Sequence, residues 1–255
     1  MALLHTPSVV IHVTDYGESD KIVTLYTLKY GKAVAIAKGA KRSKKRFVNK
    51  LEYFSLLDIL AATGKYSSLL RIDQAELVNP FPSLRKSVDR YIGAMLICEL
   101  MRLWTRENDC DELLYNLLIW SLEKLDCGQS VIDTIIFFQL RMLKLLGYQL
   151  SLSACVSCGS ELSAASSFLF NPAQNGLVCK RCTSFKGGSH FPLLSMNTIK
   201  TLEMAQTLSL EKLSRLKFAN QSARETVSLL RTYIPYLLQK DVHSWKQLEA
   251  IRMLP

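Results

Sequence analysis

KIVTLYTLKYGKAVAIAKGAKRSKKRF, residues 21–47, joins two runs rich in Val, Ile, Thr and Tyr across Gly31 and then passes into a burst of charge. The first two runs read as strands, because β-branched and aromatic side chains suit a pleated, half-buried surface and glycine punctuates the turns. PSVVIHVTDYG before them, and LEYFSLLDIL and SSLLRIDQAELV after them, continue the pattern, with Gly17, Gly39 and Gly64 as further breaks. Five short strands in the first eighty residues suit a small closed barrel of the OB-fold kind. The basic run then lies on a loop between the third and fourth strands.

That run, KGAKRSKKRF at 38–47, contains six cations and no acid: Lys38, Lys41, Arg42, Lys44, Lys45 and Arg46. A Lys/Arg run is ordinarily a solvated loop that keeps a protein soluble. Here the surrounding residues also carry Tyr16, Tyr26, Tyr30, Phe47, Tyr53, Phe54 and Tyr66. Cations that neutralise phosphates and rings that stack on bases are the mixture a single-stranded nucleic acid requires. Most of the rings belong to the core; Phe47, directly after Lys44–Arg46, is the stacking candidate, with closure of the loop onto the core as its alternative role.

NPFPS at 79–83 carries two prolines and marks a linker. Beyond it the period changes from two to between three and four, as in Val88, Tyr91, Ile92, Met95 and Leu96, which predicts amphipathic helices. Asp109-x-x-Glu112 and Ser130-x-x-Asp133 resemble capping boxes for the second and third helices, and Gly147 suits the end of the third. Residues 83–150 hold eight cations against nine acids, so this segment reads as scaffold. Helical spacing returns in SMNTIKTLEMAQTL and SARETVSLLRTYIPYLLQ. Arg224 and Arg231, seven apart, share a face there; two such arginines are usually only solvated, and a DNA contact is the alternative.

Between the helical parts, CVSC at 155–158 and CKRC at 179–182 are separated by twenty residues. Each C-x2-C turn can aim two thiolates at one ion, and two turns complete a tetrahedral four-cysteine shell for structural Zn2+. The insert is Ser/Ala-rich and broken by Asn171-Pro172 and Asn175-Gly176, with too little apolar mass to fold alone. A bound metal contributes about 10 kcal/mol or more to small modules of this sort. Free thiols or a redox pair are the other reading of the four. Cys98, Cys110 and Cys127 lie in helical patterns and read as ordinary buried thiols.

Four cysteines close the shell that a hydrolytic zinc would leave open to water. Neither H-x-E nor P-C-x-x-C of the nucleic-acid deaminases is present. Gly31-Lys32 has Tyr26 where a phosphate-binding loop needs its first glycine, and neither G-x-S-x-G nor G-x-G-x-x-G occurs. The expectation is a binding protein rather than an enzyme. A net charge of +10 points to a polyanion or an acidic protein segment as partner. The N-terminus lacks a signal-peptide pattern and no apolar run is long enough to span a bilayer, so a cytoplasmic protein without membrane contact is expected.

The order of parts resembles the bacterial RecO family of DNA repair proteins. DYGESDKIVTLYTLKYGKAVAIAKGAKRSKKRF, LEYFSLLDIL, NPFPSLRKS, LRMLKLLGYQLSLSACVSCG, NGLVCKRC and the RTYIPYLL segment carry the likeness, which covers nearly the whole chain. The resemblance implies an α+β multidomain protein: an OB-fold barrel over 1–80, a helical body over 83–150 and 186–255, and a zinc-finger module over 151–185 inserted in it. It implies a non-enzymatic recombination mediator that binds single- and double-stranded DNA and anneals complementary strands. With RecR, such a protein loads RecA onto DNA coated by the single-strand binding protein SSB, whose acidic C-terminal tail it engages. Cys155, Cys158, Cys179 and Cys182 carry over as zinc ligands, and Lys38, Lys41, Arg42, Lys44, Lys45 and Arg46 as the DNA patch. A zinc-ribbon RNA- or ribosome-associated module is the competing reading.

Overall fold

Five strands build the N-terminal part of the computed structural model, which describes residues 3–63, 69–162, 168–183 and 192–251. They are β1 (Leu3–Tyr16), β2 (Asp20–Thr27), β3 (Gly31–Ala37), β4 (Leu56–Thr63) and β5 (Leu70–Asn79). They close into a barrel in the order β1-β2-β3-β5-β4. The β3–β5 pair is parallel and the other pairs are antiparallel. This closed five-stranded arrangement is the OB-fold expected from the strand count.

Alternation makes the barrel work. In β3 the buried positions are Gly31, Ala33, Ala35 and Ala37, every second residue, as the two-residue period of a strand requires. Their small side chains leave room for Val10, Val23, Leu25, Leu57, Ile59 and Ile72 to fill the interior. Each is 1% exposed or less, so the barrel is a packed core rather than a channel.

A 3-10 turn at Pro82–Arg85 leads into α1 (Val88–Trp104) and α2 (Glu112–Asp126). The residue capping α2 is Asp111, whose carboxylate accepts from the Leu114 N–H at 3.0 Å, so the cap is two residues later than the Asp109 expected from the sequence. α3 (Val131–Leu145) begins at Ser130 as expected, its hydroxyl accepting from the Asp133 N–H at 3.2 Å. Gly147 follows with φ +84, and the Tyr148 N–H reaches the Leu143 carbonyl at 2.7 Å, a left-handed helix stop.

The chain divides into two compact units, 1–128 and 129–255, and the division falls inside the helical stretch 83–150, between α2 and α3. In the second unit a three-stranded sheet, β7-β6-β8, is formed by β6 (Phe168–Asn171), β7 (Gly176–Val178) and β8 (Leu193–Leu194), with α4 (Lys180–Thr183) after β7. The helices α5 (Met196–Thr207), α6 (Leu210–Leu213), α7 (Asn220–Leu238) and α8 (His243–Ala250) complete it. α3, α5 and α7 pack on one another. The Glu225 carboxylate of α7 accepts from Ser195 N–H at 2.8 Å, Ser195 Oγ at 3.0 Å and Thr198 Oγ1 at 2.6 Å, which locks α7 to the start of α5. No described helix is long and apolar enough to cross a membrane.

Candidate nucleic-acid interface and metal centre

The basic loop leaves β3 at Ala37 and is held against the turn that joins β1 to β2. Asp20 Oδ1 accepts from the Gly39 N–H at 2.8 Å, and the Ser19 carbonyl from the Lys41 N–H at 2.8 Å. The Gly39 hydrogen bond, helped by the Ser19 hydroxyl, holds the Asp20 carboxyl below its usual range. Lys41 Nζ donates to the Gly17 carbonyl at 2.9 Å and lies 3.5 Å from the Asp15 carboxylate. Arg42 pairs with Glu18 at 3.1 Å.

At its far end the loop closes on itself. Ser43 Oγ accepts from the Phe47 N–H at 3.0 Å, and the Arg46 guanidinium donates to the Lys38 carbonyl at 2.6 Å. The same guanidinium lies over the Phe47 ring, 4.3 Å from its centroid. All six cations are exposed, and among the described residues Lys38, Lys44 and Lys45 make no ion pair. The loop is therefore a fixed scaffold with its charge turned outward.

Phe47 does not fit the role of base-stacking residue. It is 3% exposed and sits in the barrel core with Ala40 and Leu51, so a base could reach it only by pulling the loop off the barrel. Hydrophobic transfer decides the matter: a ring at the closing turn of a loop over an open barrel end is more stable inside. The exposed ring at this rim is Tyr16, at the end of β1, with 55% of its surface accessible. Sequence alternation marks it only weakly, because the polar stretch Asp15–Asp20 around it reads as an ordinary turn. Tyr66 and the KGGSH stretch at 186–190 lie outside the described residues.

Cys155, Cys158, Cys179 and Cys182 come together in the second unit, with all four Sγ atoms within 4.8 Å of one another. Cys158 and Cys179 Sγ are 3.8 Å apart, which is about the edge of a tetrahedron whose centre lies roughly 2.3 Å from each sulfur. Two knuckles make this possible. Gly159 takes φ +72 and donates its N–H to the Cys155 carbonyl at 2.8 Å; the Cys182 N–H donates to the Cys179 carbonyl at 3.0 Å. The Cys179 N–H also points at Cys155 Sγ, 3.4 Å away, tying one knuckle to the other.

The electrostatics suit a cation. Hydrogen bonds from the Ser160 hydroxyl and backbone lower the Cys158 thiol to about 6, and the Cys182 backbone N–H lowers Cys179. Sharing protons with Cys158 and Cys179 pushes Cys182 up to about 12, so the cluster cannot hold four thiolates by itself. A divalent ion at the centre is what would allow all four to ionise. This donor set can hold a metal ion, with Cys155 buried and the others towards the surface. Of the three cysteines expected to be buried in helices, Cys98 is buried in α1, but Cys110 and Cys127 flank α2 and are exposed.

The sheet beneath is fastened to α7. Asn175, with φ +49, turns the chain into Gly176, where an added methyl would lie 2.3 Å from the Val156 side chain of the first knuckle. The Tyr233 hydroxyl donates to Asn175 Oδ1 at 2.7 Å, and its ring meets Phe170 edge-on with centroids 5.1 Å apart. Arg231, on the same helix, pairs with Glu249 of α8, while Arg224 is exposed.

Residues 1–81 match the family described as Recombination protein O N terminal, and residues 85–246 match Recombination protein O C terminal. The chain belongs to the RecO family. Relatives named DNA repair protein RecO run over nearly its full length. That of Syntrophus aciditrophicus is 35% identical over 249 residues, covering 98% of this chain and 96% of the relative. That of Geobacter metallireducens is 32% identical over 252 residues, covering 98% and 99%. That of Desulfosudis oleivorans is 30% identical over 253 residues, covering 97% of each. As a RecO-family chain the protein has a role in DNA repair, and the family boundary at 81–85 coincides with the proline-rich linker.

Proposed function

We propose that this RecO-family chain is a non-enzymatic recombination mediator. It binds single- and double-stranded DNA, anneals complementary strands and, with RecR, helps load RecA onto SSB-coated single strands in the bacterial cytoplasm. The observation that carries the DNA reading is the outward-facing basic loop, immobilised on an OB-fold rim and free of acids of its own. Annealing brings two polyanions together, and a surface that neutralises both backbones lowers the repulsion between them. Contact with the acidic SSB tail as well as with DNA would raise the local concentration of the mediator on coated strands.

The four cysteines are read as a structural zinc site, one ion per chain. When bound, the ion supplies a fixed four-sulfur crosslink and leaves no open coordination position for chemistry. Cys155, Cys158, Cys179 and Cys182 would hold it, and the sheet β7-β6-β8 would then be fixed between them and α7.

Annealing of complementary oligonucleotides without ATP, with and without SSB, tests the proposal. Acceleration is expected, and a protein that binds DNA yet neither speeds annealing nor associates with SSB would not be a mediator. Lys44→Ala and Lys45→Ala should each weaken oligonucleotide binding and reduce its log–log salt slope by roughly 0.7. An unchanged slope would return the loop to a solvated face.

A further inference from the structure

We propose that the basic loop is divided in labour: Lys41 and Arg42 position the β1–β2 turn so that Tyr16 stacks on an unpaired base, while Lys44 and Lys45 meet the phosphates. The inference rests on the DNA-binding reading above and assigns its parts to particular side chains. It also makes the site a reader of single strands, since only an unpaired base offers a free face to a ring.

Exposure alone argues nothing, because isolated apolar side chains are common at surfaces. Among the described residues, however, no Tyr, Phe or Trp is more exposed than Tyr16, at 55%. Its position is the stronger fact. The residues on either side of it, Asp15 and Gly17, both face the Lys41 ammonium, at 3.5 Å and 2.9 Å. Its partner across the hairpin is Asp20, whose carboxylate holds the Gly39 N–H at 2.8 Å. The backbone carrying the ring is thus tied twice to the loop carrying the cations, once through each strand of the hairpin. Ring and charge form one rigid surface, which is what a stacking platform beside a phosphate track requires.

Charge accounting separates the two groups of cations. Lys41 and Arg42 face Asp15 and Glu18, so a phosphate approaching either would first meet a carboxylate. Arg46 is folded back over Phe47 and the Lys38 carbonyl. Lys44 and Lys45, between these two anchored groups, have no such partner among the described residues, whereas the Lys38 ammonium acts on the Asp20 carboxylate.

The test is binding of the full chain to a fluorescent oligo(dT) and to a duplex of equal length, across a salt series. Tyr16→Ala should weaken oligo(dT) binding roughly five- to a hundredfold, the equilibrium equivalent of one stacked base, and leave the salt slope unchanged. Its effect on the duplex should be several times smaller, and Tyr16→Phe should bind like the parent. The inference is overturned if Tyr16→Ala binds oligo(dT) as tightly as the parent, or loses equally on duplex. If Lys44→Ala and Lys45→Ala still flatten the slope in that case, the DNA-binding reading survives it. If none of the three variants changes binding, both fall together.

Discussion

Truncating Phe47 to Ala should cost about 3–5 kcal/mol of stability in urea unfolding, because it removes a ring that is 3% exposed from the barrel core. Phe47→Leu, which refills most of that space, should cost far less and leave oligonucleotide affinity within a factor of about two of the parent. A stable Phe47→Ala protein with lost DNA binding would contradict the burial. Arg46, its neighbour, was easier to read from the sequence, since a count of charges is a local quantity. The fate of Phe47 depends on where the loop crosses the barrel end, and no local pattern carries that. The same holds for Lys41 and Arg42: their acidic partners Asp15 and Glu18 lie 26 and 24 residues upstream, across a strand pairing.

At the scale of elements, the two C-x2-C turns were legible because two thiolates three residues apart already define a knuckle. The support under them was not. Tyr233 on α7 and the strand β8 reach the module from residues beyond Cys182, and neither has a signature that ties it to cysteines. Cys179→Ser should lower zinc content, measured by atomic absorption on the purified chain, from about one ion per chain to well below it. The second unit should then melt earlier, and a chelator should produce the same shift in the parent. Retention of the full metal content after this change would mean that the four sulfurs do not act as one ligand set. Acidification should act in the same direction as the substitution, since the ligands must be thiolates and protons compete for them.

On the scale of the whole molecule, the change of hydrophobic period after NPFPS located the end of the barrel, and the family boundary agrees with it. The periodicity could not say which unit each helix joins, because every amphipathic helix has an apolar face and the pattern does not name its partner. In the structure α1 and α2 fall in the same unit as the barrel. Lys32 of β3 donates to the Arg102 carbonyl at 2.9 Å and to that of Thr105, at the end of α1, and the Asn108 N–H donates to the Lys32 carbonyl at 3.1 Å. Gly31, with φ +64, sits so close to this loop that an added methyl would lie 1.9 Å from the Asp109 carbonyl oxygen. Gly31→Ala should therefore cost about 2–5 kcal/mol, from left-handed strain and overpacking together, as read by thermal or urea unfolding of the full chain. A loss below about 1 kcal/mol would show that the two backbones separate easily.

The contact between Gly31, Lys32 and the segment after α1 also sets where the chain can be dissected. A fragment ending at the proline linker would keep every strand of the barrel, yet it would leave the Lys32 ammonium without its carbonyl acceptors and uncover the seam that Asp109 closes. The boundary between the two compact units lies after Gly128 instead. A piece cut there keeps the barrel together with α1 and α2, and so keeps the Arg102 and Thr105 carbonyls that Lys32 uses.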